Sequence, residues 1–146
     1  MSLDCLEREL LYNPATYIGN ETDEICGLKH HFAPGVYARE TTVPAGMAVV
    51  GHRHKHEHLN IVLKGKAIVV CEGQEPKMIE GPCVFVSGGG VRKAAIVIED
   101  FTILNIHATE ETDLEVIEAQ TIEKTDDFME MVELIEQAKA LAGGEA

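Results

Sequence analysis

The sequence reads as an all-β chain, a single-domain sandwich or barrel with one C-terminal α-helix, and three observations carry that reading. Runs rich in β-branched and aromatic residues recur about eight to ten residues apart between Val36 and Ile122, with turn residues between them and no long helical period. Histidines occupy alternate positions at 52, 54, 56 and 58, and in an extended strand residues two apart share a face. After Thr125 the pattern changes to helical spacing, with Phe128, Met131, Val132, Ile135, Ala138 and Ala142 on one stripe.

Taken in order, Leu3, Leu6 and Leu10 suggest a short helix over 3–12, ended by Asn13-Pro14. Residues 13–35 are polar and rich in turn residues, and His30 and His31 fall in an expected loop. Strands are expected at 36–43, 47–54 and 58–63, then, past a bend at Lys64-Gly65, at 66–72, 76–80 and 82–87. Gly88-Gly89-Gly90 reads as a sharp loop. Residues 92–98 and 101–107 read as a hairpin turning at Glu99-Asp100, and 114–122 as a last strand. Thr125 suits an N-cap, Asp126 and Asp127 suit the positive end of a helix dipole, and Gly143 suits its stop. The expected organisation is an N-terminal helix and loop segment at 1–35, a barrel at 36–122 and a C-terminal helix at 123–146. The apolar stripe of that helix would pack on its own barrel or on a second copy, and a homodimer is expected.

A chain of 146 residues, 45% hydrophobic and 25% charged, can bury one core without staples. Its net charge is −13, from 25 acidic and 12 basic residues, which argues against nucleic-acid or anionic-membrane partners. There is no apolar run of about 18 residues and no signal-peptide pattern at the start. Cys5, Cys26, Cys71 and Cys83 form no Cys-x-x-Cys pair. A cytoplasmic setting with reduced, buried thiols is the expectation. Neither a cysteine nor Ser87 has the surroundings of a catalytic nucleophile, and no Lys-Ser/Thr follows the triple glycine to make a phosphate loop.

Imidazole is a common transition-metal ligand, so the histidine ladder proposes a metal pocket. The stretch from Gly46 to Gly65 resembles the first motif of the cupin superfamily: Gly, five residues, His-x-His, three or four residues, Glu, six residues, Gly. Here His52-Arg53-His54 fills the paired positions and His58 stands where the motif has Glu. Glu57 is one residue early, on the opposite face of a strand. The resemblance implies a double-stranded β-helix (jelly-roll) barrel and, as in cupin dioxygenases with histidine-only ligands, a site built from His52, His54 and His58. The second cupin motif aligns with Gly81, Ser87-Gly88-Gly89, Arg92 and Ile96, and puts Arg92 where the metal histidine usually stands. Arginine stays protonated and cannot ligate. In the expected hairpin Arg92 lies opposite His107, so His107 becomes the fourth candidate ligand, and Arg92 is free to hold a substrate carboxylate.

A narrower resemblance covers most of 30–120. The stretches 31–37, 54–61 and 106–115 are similar to a group of small cupin-like proteins from bacteria and phages that carries no assigned reaction. It implies matches at His54, Glu57, His58 and His107 and a basic pair at Arg92-Lys93, with Lys commoner at position 52 and Pro-Pro-Gly at 88–90. Glu57 thus stays open as a ligand or as an acceptor for an imidazole N–H. His56 is expected at the surface in a turn. The expected function is a metal-binding cupin holding Fe, Ni, Mn or Zn, dioxygenase- or isomerase-like on a small anionic substrate steered by Arg92. The competing reading is a non-catalytic small-ligand-binding cupin or a phage-associated accessory protein.

Overall fold

The computed structural model describes residues 2–18 and 20–143, apart from the side chains of 20 and 21. It opens with α1 (Leu3–Leu11), capped by the Ser2 hydroxyl, which accepts from the Cys5 N–H. α2 (Asn20–Ile25) and β1 (Lys29–Ala33) follow where a loop was expected. Ala33-Pro34-Gly35-Val36 turns β1 onto β2 (Val36–Val43), with Gly35 at φ +76°. Proline followed by a left-handed glycine is a turn signal, and it closes a hairpin that the weakly β-forming Lys-His-His run did not announce. The sheet therefore starts at Lys29, before the expected barrel boundary at residue 36.

The remaining strands are β3 (Ala48–Val50), β4 (Arg53–His54), β5 (His58–Cys71), β6 (Lys77–Glu80), β7 (Cys83–Ser87), β8 (Lys93–Ala108) and β9 (Ile122–Glu123), all antiparallel to their partners. β5 and β8 pair along most of their length and divide the main sheet into two halves. One half runs β1-β2-β8-β5-β7 through residues 101–108 of β8. The other is β3-β8-β5-β6 through residues 93–99. The core joins them: Val43 and Val62 from the first half meet Ala67 and Val97 from the second, with Phe101 and Cys26. Val62 is fully buried, and burying a side chain of that size stabilises by about 2 kcal/mol. This is the double-stranded β-helix arrangement.

β8 corrects the expected hairpin. Residues 93–108 form one strand, and Glu99-Asp100 is a bend where the register against β5 shifts. A two-residue hairpin turn needs residues at positive φ, which Glu and Asp resist, and among the described residues only glycines have positive φ. Gly65, at φ +98°, is the other side of the bend: a Cβ there would stand 2.1 Å from the Asp100 carbonyl oxygen. Arg92 is thus not paired with His107, which lies opposite Tyr37.

The expected last strand is instead α3 (Leu114–Thr121). The Asp113 carboxylate accepts from the N–H groups of Glu115 and Val116, and that cap, with Glu, Ala and Gln in the segment, outweighs the β-branched residues. Ile117 anchors the helix in the interior. α4 (Asp126–Gly143) starts as expected on the Thr125 hydroxyl, which accepts from the Phe128 N–H at 3.1 Å. Phe128, Met131, Val132 and Ile135 are half-buried and residues 136–143 are exposed. α4 packs against α1, where Arg8 pairs with Asp127 at 2.9 Å. The cysteines are free, but Cys26 alone of the four is buried and Cys5 is exposed, contrary to four buried thiols. No described helix is long and apolar enough to cross a membrane.

Candidate functional site

Two backbone clamps position His54 on the two-residue strand β4. His54 pairs with Ile122 of β9, and its carbonyl accepts from the Gly90 N–H at 2.8 Å. The 88–90 loop lies against the 55–57 turn, where a Cβ on Gly89 would come within 3.1 Å of the Lys55 carbonyl oxygen. His56 and Glu57 are exposed in that turn, as expected for His56, while the strand parity that turns Glu57 outward turns the next residue, His58, inward. His58 opens β5 opposite Ser87 of β7.

Across the same face come His107 of β8 and Tyr37 of β2. The rings of His54 and His58 lie 4.1 Å apart between centroids, those of His58 and His107 5.0 Å, and those of His54 and His107 5.5 Å. His107 therefore joins the cluster, though not through the pairing that nominated it. Tyr37 stacks on His107 at 6.3 Å, and its hydroxyl meets Nδ1 of His30 at 2.7 Å. His30 and His31 are thus strand residues, and His30 supports the cluster from behind Tyr37.

Burial disfavours the charged form of each ring. It pushes His54 down to about 3 and His107 to about 4, with neighbouring imidazoles adding to both shifts, and it lowers His58. All three are neutral near pH 7. The His58 Nδ1–H donates to the His56 carbonyl at 3.3 Å, which leaves the lone pair on Nε2. Nδ1 of His54 is buried with no partner, an arrangement that costs about 1–3 kcal/mol. As placed, the rings stack at 24°, 11° and 28°, and no three or more His, Cys, Asp or Glu side chains among the described residues form a metal-holding group. The donor set still fits a divalent transition ion chemically: three neutral imidazoles, one with an unsatisfied buried nitrogen, brought together on different strands.

His52 is separate from this cluster. Its ring meets Phe128 of α4 edge-on, with centroids 4.5 Å apart. Burial lowers its pKa, and its Nδ1 also has no partner. The break at Gly51-His52 between β3 and β4 removes the strict alternation that would put it beside His54. Arg92 is occupied as well. It is 1% exposed, donates to the Asp4 carboxylate at 2.6 Å and to the Gly51 carbonyl at 2.8 Å, and pairs with Glu7. Thr125 donates to the other oxygen of Glu7. The guanidinium ties α1 and the start of α4 to the barrel and has no free face for a substrate carboxylate.

Sequence reasoning missed a polar layer below the histidines. The Asn105 amide donates to Asn60 at 2.6 Å, Asn60 donates to the Ser87 hydroxyl at 2.8 Å, and the Lys93 ammonium donates to the same hydroxyl. Lys93 sits 4.9 Å from the Phe85 ring centroid, and burial lowers its pKa. Asn60 and Asn105 lie two residues from His58 and His107, so the same-face rule could have nominated them. The narrower resemblance marked the basic pair Arg92-Lys93, but nothing local showed which way Lys93 points, since its side of β8 depends on where the strand bends.

No protein-family model and no curated protein matches the chain. Solved structures do. The chain is similar to KdgF from Halomonas sp. at 19% identity and TM-score 0.48, over 59% of this chain and 81% of that one. It is similar to an RmlC-like cupin with a double-stranded β-helix fold from Methanocaldococcus jannaschii at 15% and 0.48, over 57% and 79%. It is also similar to the DMSP lyase DddQ from Ruegeria pomeroyi at 23% and 0.47, over 56% of this chain and 42% of that one. Besides the cupin from Methanocaldococcus jannaschii, the solved structures that this chain is similar to include a cupin superfamily protein from Desulfitobacterium hafniense and a cupin-2 domain protein from Shewanella frigidimarina.

Proposed function

We propose that the chain is a metal-binding cupin whose His54, His58 and His107 hold one divalent transition ion inside the barrel, for a metal-dependent reaction on a small anionic molecule. The observation that carries this is the convergence of three neutral imidazoles from β4, β5 and β8, those of His58 and His107 buried and that of His54 half-buried with its Nδ1 unpartnered. A bound ion would bring Lewis acidity with its charge uncancelled by the ligands, since all three are neutral. Fe, Ni, Mn and Zn all suit nitrogen donors. The residues around the cluster do the positioning: His56 fixes the His58 tautomer, and Tyr37 backs the His107 ring. This reading replaces His52 by His107 in the ligand set.

The test is the metal content and metal affinity of untagged protein. The expected result is about one ion per chain, a loss of at least about 10–100-fold in affinity for His54→Ala, His58→Ala and His107→Ala, and retention in His52→Ala. Protein that binds none of the four metals overturns it. The stacked, nearly parallel rings favour the second reading, a non-catalytic cupin that binds a small ligand without metal. The homodimer and the cytoplasmic setting belong to this proposal too. The exposed outer half of α4, where Leu141 is 74% exposed, supports a dimer, and sedimentation velocity checks it.

A further inference from the structure

A cavity of about 460 Å³ opens between β6 and β7. Val69, Cys71, Cys83 and Phe85 make its walls largely apolar, Lys93 and Ser87 also line it, and Glu75, Lys77 and Glu80 belong to the same lining. Its size is within the range of small-molecule pockets.

The donors in it are unbalanced. The Ser87 hydroxyl accepts from both Asn60 and Lys93. With its lone pairs taken in this way, its own proton is left to donate, and the hydrogen bonds among the described residues give that proton no acceptor. The Lys93 ammonium has three donors. One goes to Ser87, and the nearest ring is the face of Phe85, with no carboxylate paired to it among the described residues. A half-buried cation with no carboxylate in ion-pair contact among the described residues is costly and creates demand for an anion. In a chain of net charge −13, such a cation in an apolar cavity is a selective feature.

We propose that this cavity binds a small organic monocarboxylate with an apolar body, its carboxylate held by the Lys93 ammonium and the Ser87 hydroxyl. The apolar body lies against Phe85, Val69 and Cys83. Glu75 and Glu80, against Lys77 alone, leave the rest of the lining net negative, so a second negative charge is repelled and a monoanion is favoured over a dianion. The inference deepens the small-anion part of the function proposed above, with Lys93 taking the role expected of Arg92, and it does not depend on the metal.

The experiment titrates the full chain, treated with EDTA, with benzoate and hexanoate, following backbone amide shifts by NMR. Adipate and benzyl alcohol serve as dianionic and neutral controls. The expected result is saturable binding of the monocarboxylates with shifts at Ser87 and Lys93, weaker binding of both controls, and at least about tenfold weaker binding to Lys93→Met. Lys93→Met removes an uncompensated charge at nearly constant volume, so its thermal unfolding is expected at or above that of the parent protein; Ser87→Ala gives a second, smaller loss of affinity. Absent binding, binding unchanged in both variants, equal affinity for adipate, or binding seen only after a metal is restored overturns the proposal. Loss of the metal reading alone leaves the titration in EDTA unchanged, so the two failures are distinguishable.

Discussion

Arg92 shows how one side chain can be read correctly in place and differently in role. Its alignment with the usual metal histidine put it inside the fold, and it is inside. Its partners come from sequence positions 85 and 88 residues away, in α1. Breaking a buried ion pair leaves the remaining charge unpaired, which costs about 3–5 kcal/mol. Arg92→Ala is therefore expected to destabilise the protein by that amount in urea unfolding, with Glu7→Ala showing a similar loss and the double variant less than the sum. A cost below about 1 kcal/mol would mean the clamp contributes no more than a surface pair. His52 differs from His54 in the same way: its neighbour is α4, and no local pattern in residues 46–65 announces a helix that begins at Asp126.

The β5–β8 pair is the element that makes the barrel. Both strands bend where Gly65 faces Asp100, and the bend lets one pair of strands serve both halves of the sheet. The glycine that closes the first motif is thus required by close backbone approach and by a left-handed φ. Gly65→Ala is expected to cost about 3 kcal/mol or more, beyond ordinary overpacking, because the obstructing atoms are backbone and cannot rotate away. Denaturant unfolding measures it; a loss under about 1 kcal/mol would show that the strands separate easily there. Strand periodicity located both strands but not the continuity of β8, because a short polar pair between two β-rich runs has the same appearance in a turn and in a bulge.

Across the whole molecule the interior is layered: an apolar core around Val62, Val97 and Phe101, the Asn60–Ser87–Lys93 layer, then the histidine cluster. The cluster links stability to pH. Folded values of about 3 for His54 and about 4 for His107 lie below the ordinary histidine value of about 6.5. As pH falls, the unfolded chain takes up protons first, so the stability these groups contribute is complete above about 6.5 and drains away through about 4 toward 3. Metal-free protein is expected to lose unfolding free energy over that window, and a His54→Gln/His107→Gln variant to lose clearly less. Equal slopes for the two proteins would mean the rings titrate alike folded and unfolded.

The all-β class, the terminal helices, the His54–His58 pair and the turn between them were legible in the sequence, because strand alternation, caps and turn glycines act over a few residues. The grouping of the His107 ring, and not that of His52, with His54 and His58, the employment of Arg92 as a clamp and the placement of Lys93 in a cavity were not. Each depends on which distant segment a side chain meets once β5 and β8 bend together, and a contact across 40 to 90 residues leaves no periodic trace along the chain.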